Sequence, residues 1–367
     1  MHKTSTTLAD GRECIFYDRR PVHREVPPDR RSLPDRPSAG RLRYDARTGD
    51  WVVIAAHRQD RSVRPNVDDC PLCPTRGEVP TEVPAADYDV VVFENRFPAL
   101  TTVGAEPADP HTFTGEVDAT ALRRSAAAFG RCEIICFSSD HDASFADLKP
   151  DQARLVVEAW ADRTAELGRR PGIRQVYCFE NRGADIGATQ PHPHGQVYAF
   201  PYVTTRTTRM LRQAAAYHQA TGGNLFDDAL AADRADTDRV VVADECWTAF
   251  VPYAARWPYE VHLYPNRRHR DLTDLDDVEL DSLAVIYLDL LQRFDRLFDR
   301  PAPYVAAWHQ APVGPVGDGF ATHLELFTNR RSDTRLKFLA GTEIGMDAFS
   351  NDIQPEAAAA RLRELAV

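Results

Sequence analysis

No run of about 18 apolar residues occurs in this 367-residue chain, and its N-terminus has no apolar signal-peptide core. Those absences exclude a helical membrane protein and point to the cytoplasm. An excess of positive charge is missing as well: 44 Lys and Arg face 55 Asp and Glu, a net charge of -11 at pH 7. That balance argues against a nucleic-acid binder and a membrane-surface binder. Cations for an anionic ligand must therefore be gathered locally. A disulfide framework is not indicated, because the seven cysteines are an odd number in a long, non-secretory chain. Cys14, Cys132, Cys136, Cys178 and Cys246 read as small apolar side chains. Cys70 and Cys73 do not.

What the chain does have is an ordinary globular composition, 43% hydrophobic and 27% charged, at a length that suits two domains or two similar halves. Residues 1–40, rich in Arg, Asp and Pro, predict an extended arm with no packed element. Residues 41–54 predict a hairpin with its turn at 47–50. Arg58 and Arg61 follow it, three apart, placed either to fork onto phosphate oxygens or to lie solvated on the surface. Asp69-Cys70-Pro71-Leu72-Cys73-Pro74 is a C-x2-C knuckle, half of a tetrahedral site with zinc as its default ion. Its other two ligands must come from elsewhere in the chain.

Strands are predicted around Val90-Val91-Val92-Phe93, at 133–138 and at 175–181, with His141 after the second and a helix starting at Pro150-Asp151. The second half repeats this order. Residues 250–258 echo the strand and Arg-Phe-Pro corner of 93–98, 259–265 replace 133–138, and a long amphipathic helix follows Asp274-Leu275. Then 303–309 stand for 175–181 and 322–327 for 191–200, which sets His323 on His192 and Glu325 on His194, each 131 positions later. The fold class expected is α+β with antiparallel sheets, an arm (1–40), a first half (41–203) and a second half (204–367).

The most informative stretch is 183–196, in which His192-Pro193-His194-Gly195-Gln196 follows a run of small residues. Proline bars a helix here, and a stiff β-edge would point both imidazoles to one side. Backbone N–H groups of a Gly-rich turn can receive phosphate oxygens, and Gln196 can donate to an oxyanion. His194 could be a base, a metal ligand or a nucleophile at phosphorus.

From Phe179-Glu180-Asn181-Arg182-Gly183-Ala184 through His192-Pro193-His194-Gly195-Gln196, the chain closely resembles the active-site segment of the galactose-1-phosphate uridylyltransferase family. That family is a branch of the histidine-triad superfamily, and the resemblance runs from about residue 41 to the C-terminus. It implies two histidine-triad-like halves and a double displacement. His194 would take UMP from UDP-glucose as a covalent uridylyl-histidine, releasing glucose 1-phosphate, and galactose 1-phosphate would then collect it as UDP-galactose. Gln196 would hold the phosphoryl oxygens. The resemblance also implies that Cys70, Cys73, His141 and His192 hold one structural zinc ion per chain. Arg58, Arg61, Asn95, Asn181 and Thr189 match positions that line the uridylyl and phosphate groups. Lys337, Phe338 and Glu343 match hexose-phosphate contacts, which in the family come from the second subunit of a homodimer. Thr342 and Phe349 or Ser350 depart from the family pattern beside them. A second family site, for iron or zinc, is only partly retained: His309 and His323 match, Glu325 replaces a histidine, and Met210 stands where an ungapped count expects glutamate. Methionine suits such an ion poorly, so His309 and His323 are open to a plain hydrogen-bonding role.

Two rivals remain at this point. A related histidine-triad phosphorylase would pass the nucleotidyl group from a nucleotide sugar or dinucleotide to phosphate. A non-catalytic zinc-stabilised binding protein would have to explain why His-Pro-His-Gly-Gln is intact in one half alone.

Overall fold

The computed structural model describes residues 1–59, 69–77, 79–113 and 122–366. The first half contributes β1 (His2–Thr7), β2 (Glu13–Asp18), β3 (Arg41–Asp45), β4 (Asp50–Ile54), β5 (Val90–Glu94), β6 (Ser125–Ala127), β7 (Arg131–Cys136), β8 (Gln175–Arg182) and β9 (His194–Phe200). Its long helix is α1 (Pro150–Gly168). The second half contributes α2 (Thr205–Thr221), α3 (Leu225–Ala235), β10 (Val240–Ala243), β11 (Trp247–Phe250), β12 (Val261–Pro265) and α4 (Asp277–Asp295). After these come β13 (Tyr304–His309), β14 (His323–Phe327), α5 (Gly341–Met346) and α6 (Pro355–Glu364).

Eleven strands form one antiparallel sheet in the order β1-β2-β5-β7-β9-β8-β13-β14-β12-β11-β10. Read inward from the two ends, β5-β7-β9-β8 and β11-β12-β14-β13 follow the same course, and each half inserts its long helix before its last two strands. The duplication is therefore visible as topology. The halves join where β8 pairs β13, Glu180 opposite Ala306. A separate small sheet, β4-β3-β6, contains the predicted hairpin.

Helices α1 and α4 pack together on one face of the large sheet. Pro150 opens α1 at a position that needs no backbone donor. Reciprocal bonds between Asp276 and Glu279 cap α4. Leu155, Val156, Ala159 and Trp160 of α1 meet Leu283, Ile286, Tyr287, Leu290 and Phe294 of α4 over Val176, Cys178, Val197 and Ala199 of the strands. Period-two alternation that sends Val197 and Ala199 into this core sends His194, Gln196 and Tyr198 to the other face. Helix α2, with Phe226 of α3, covers that other face over the second half, where Met210 and Leu211 pack with Phe320, Ala321 and Tyr264. Among the described residues, no helix is long and apolar enough to cross a membrane.

The expected arm is corrected. Residues 2–18 form a β-hairpin whose second strand pairs with β5, and Cys14, Ile15, Phe16 and Tyr17 are all at most 1% exposed. The Arg, Asp and Pro that suggested an arm lie at 19–40, whereas Cys14-Ile15-Phe16-Tyr17 is a short apolar run that an average over the segment hides. Even the irregular part is tied down: Arg24 pairs with Asp18, and Arg31 with Glu82 at 2.9 Å. Phe16 packs in a cluster with Cys70, Leu72, Tyr88 and Val91, so the hairpin supports the cysteine knuckle. Phe16→Ala is expected to cost about 3–5 kcal/mol in urea unfolding. A loss below about 1 kcal/mol would remove the hairpin from the core.

Candidate active site

The stretch 183–196 does not form a sheet edge. His192 and Pro193 lie in a bend, and β9 starts at His194 and runs between β7 and β8. The prolines end before the ladder needs their missing donors, while the Pro193 carbonyl accepts from the Phe137 N–H at 3.1 Å. Gly195 is required by space: a Cβ there would come within 2.9 Å of both the Phe137 ring and the Phe179 carbonyl.

Cys70, Cys73, His141 and His192 converge, their ligand atoms all within 4.8 Å of one another. Cys73 Sγ is 3.3 Å from His141 Nδ1 and 3.6 Å from His192 Nδ1. A tetrahedral zinc ion with Zn–S about 2.3 Å and Zn–N about 2.0–2.1 Å would have S···N edges of about 3.5 Å, so the donor set fits that ion. His192 Nε2–H donates to the Ser138 carbonyl at 2.9 Å, and the Tyr88 hydroxyl lies 2.8 Å from the same nitrogen. These partners leave Nδ1 for a metal. Burial, first among the causes, lowers His192 to about 4, so the ring is neutral at pH 7. Burial and then the Cys70 sulfur raise the Cys73 thiol, which a cation held between the sulfurs would counter.

His194 stands apart from this cluster but is tied to it. Its Nδ1–H donates to the main-chain carbonyl of His192 at 2.8 Å. A carbonyl can only accept, so the proton is on Nδ1 and Nε2 carries a lone pair. Burial lowers the pKa of His194, which keeps the ring neutral. Two cavities meet at this residue: Asn181, Gly183 and Ala188 line one, Arg58, Phe93, Asn95 and Gln196 line the other, and both share Thr189, Gln190 and His194. A neutral imidazole with a free lone pair, open to two cavities, can act as a nucleophile toward a group bound beside it.

Of the residues singled out in the sequence, Arg58, Asn95, Asn181, Thr189 and Gln196 thus gather around His194. Arg61 lies outside the described residues. Lys337 donates to Glu343 at 3.1 Å, and Phe338 is 73% exposed, but none of the three lines either cavity at His194 within one chain. His309, His323 and Glu325 converge, whereas Met210 packs into the apolar cluster on α2.

The register of the duplication shifts by two residues. His323 Nδ1–H donates to the Ala321 carbonyl at 2.9 Å, just as His194 does to His192, and both histidines open their strands. His323 therefore repeats His194, and Glu325 repeats Gln196. A shift of two keeps every side chain on its face, so alternation could not detect it. His323 is fully buried, its ring stacked 4.4 Å from that of Tyr264 and 6.1 Å from that of Phe320. Only the first-half histidine opens onto cavities of this kind.

Sequence reasoning missed Tyr88, the Ser138 carbonyl and Glu180. A main-chain acceptor leaves no sequence signal, and Tyr88 precedes its strand like any core aromatic. Glu180 is 3% exposed and accepts from the Tyr304 hydroxyl at 3.1 Å. Burial raises it from 4.5 to about 8, with Arg182 and Tyr304 opposing. The native state therefore holds a proton that the unfolded chain has lost between those values, and stability falls as pH rises through that window. Glu180→Gln is expected to lie closest to wild type near pH 5 and to gain on it by about 2–4 kcal/mol above pH 8. Guanidinium unfolding at both ends of the window checks this. A gap that stays constant with pH would mean the carboxyl is ionised in the fold.

Residues 32–204 match the family model for the galactose-1-phosphate uridyl transferase N-terminal domain, and residues 210–367 that for its C-terminal domain. The chain is 47% identical to a Streptomyces lividans galactose-1-phosphate uridylyltransferase, over 100% of this chain and 98% of that one. It is 34% identical to the Thermotoga maritima enzyme of that name, over 89% and 98%. A solved structure described as a uridylyltransferase superposes with a TM-score of 0.75 at 28% identity, covering 89% of this chain and 98% of that one. The bend, the neutral histidine and the converging Cys2His2 set thus sit on a chain that belongs to the galactose-1-phosphate uridylyltransferase family.

Proposed function

We propose that this enzyme moves UMP between UDP-glucose and galactose 1-phosphate by double displacement through a uridylyl group carried on His194. The observation that carries the reading is the His194 ring itself, neutral, protonated on Nδ1 and shared by two cavities.

In the first step the Nε2 lone pair attacks the α-phosphorus, a P–N bond forms, and the P–O bond to glucose 1-phosphate breaks. The ring then carries a positive charge, which the His192 carbonyl steadies through the Nδ1–H bond. In the second step an oxygen of galactose 1-phosphate attacks phosphorus and the P–N bond returns its electrons to Nε2. No net proton moves in either step. Gln196 donates its amide to the transferring phosphoryl oxygens, Arg58 offsets their charge, and Asn95, Asn181 and Thr189 fix the nucleotide. Arg61 shares this role. Cys70, Cys73, His141 and His192 would hold a zinc ion, which, when bound, is closed and structural and pins the residue whose carbonyl orients His194.

Lys337, Phe338 and Glu343 contact the hexose phosphate from the second subunit of a homodimer. That none of the three lines the His194 cavities within one chain supports that assignment. Residues 41–203 and 204–367 form the two histidine-triad-like halves of a cytoplasmic enzyme, and the leading hairpin belongs with the first. The test is isotope exchange. Labelled glucose 1-phosphate should enter UDP-glucose with no galactose 1-phosphate present, as a covalent intermediate requires. Exchange that needs the second sugar phosphate, or turnover of ADP-glucose with inorganic phosphate in its place, would overturn the assignment.

A further inference from the structure

We infer that Arg206 stands in for a metal ion at a buried histidine–carboxylate cluster in the second half, and that the cluster holds no metal while Arg206 is there. Glu325, 3% exposed on β14, sits at the centre of this cluster. His309 Nε2 lies 3.4 Å from one of its oxygens and His323 Nε2 lies 3.6 Å from the other. Because His323 gives its Nδ1–H to the Ala321 carbonyl, its Nε2 presents a bare lone pair, buried and without a hydrogen-bond partner. Two acceptors that face each other call for a positive charge nearby. Their spacing is also that of donors around one ion: nitrogen and oxygen at about 2.0–2.1 Å from a tetrahedral centre would be about 3.4 Å apart.

The charge is already supplied. Arg206 Nη2 reaches in from α2 and lies 2.6 and 2.7 Å from the two Glu325 oxygens, a single nitrogen chelated by the carboxylate as an ion would be. Guanidinium and carboxylate cancel. A divalent ion added beside them would leave two uncompensated charges in a buried site, which is costly. Among the described residues no fourth protein ligand joins His309, His323 and Glu325, so an ion in place of Arg206 would keep a water in that position. Met210, one turn beyond Arg206, packs with Phe226 and Phe320 instead, and His262 is engaged with Glu260 at 2.9 Å. The donors suit an ion, but Arg206 already occupies both oxygens of the carboxylate, so the residues present do not fit a bound metal. Arg206 enters from the solvent side with its side chain 42% exposed, so it can be replaced without opening the core.

The experiment equilibrates full-length wild type, Arg206→Ala and Arg206→Lys with cobalt(II), removes free metal by dialysis and counts ions per chain. Counts are compared as differences from wild type, so an ion at Cys70, Cys73, His141 and His192 cancels. Arg206→Ala should gain one ion over wild type, Arg206→Lys none, and His309→Ala added to Arg206→Ala should lose the gain. Arg206→Gln replaces the alanine variant if that one loses its near-ultraviolet circular dichroism. An unchanged count in the folded neutral variant would overturn the inference. So would a wild-type protein that loses an ion on His309→Ala, because the cluster would then hold metal with Arg206 in place.

Discussion

Replacing His194 with glycine is expected to abolish the covalent adduct and lower kcat by about 10⁴-fold or more, the scale on which removal of a nucleophile acts. The readout is the mass of the intact protein after brief mixing with UDP-glucose at low temperature and no acceptor. Wild type should gain one uridylyl group and the variant none. Of the groups gathered on His194, Gln196, the Thr189 hydroxyl and Asn181 are neutral hydrogen-bonding side chains and Arg58 is always protonated. The other imidazoles of the cavity wall, His141 and His192, belong to the metal-ligand set. His323, the structural repeat of His194, cannot substitute, because it is buried beneath Tyr264 and Phe320. Binding of UDP-glucose should change far less than kcat, since the lost interaction is made at the reacting phosphorus. An adduct that persists in the variant would move the nucleophile elsewhere; an adduct that never appears in wild type at any mixing time would leave direct transfer.

The site was legible in the sequence where its residues are close in the chain and chemically unusual. Two histidines alternating with prolines cannot be helix, and a C-x2-C knuckle has few uses, so both stand out in the sequence alone. Their convergence was legible only through the family resemblance, because His141 and Cys73 are far apart in sequence and meet through β5 and β7. The long helices and the duplicated strand order were readable from apolar period. Three things were not. The N-terminal hairpin was hidden by the charged segment that follows it. The register of the repeat was ambiguous by two residues, because a strand shifted by two shows the same faces. Helix α2 and its Arg206 drew no expectation from the sequence, and only the contact of Arg206 with a buried carboxylate on a distant strand gives it a role. Positions whose meaning comes from a partner 119 residues away carry no local signal.

Removing the first metal site should have the second large effect, and on two quantities at once. His192→Asn or Cys73→Ala is expected to leave the protein without its ion. If the ion binds with a thousand-fold margin over its dissociation constant, that loss costs about 4 kcal/mol of stability. Metal release to a chelator should speed up as the pH falls, because protons then compete for the thiolates and imidazoles. Activity should fall as well, through position and not through lost chemistry. His192 provides the carbonyl that holds the His194 Nδ1–H at 2.8 Å, and the ion is what would hold His192 in its bend. Loosening that carbonyl lets the ring turn and the proton exchange between nitrogens, so the fraction of His194 with Nε2 free and aimed at phosphorus drops. The expected signature is a slower uridylylation step in rapid-mixing mass measurements, with binding of UDP-glucose nearly unchanged. Unchanged metal content in His192→Asn would show that the ligand set is wrong. Metal loss with an undiminished uridylylation rate would show that the nucleophile is held by the Gly195 contacts and the β9 ladder alone, and that the metal serves only the fold.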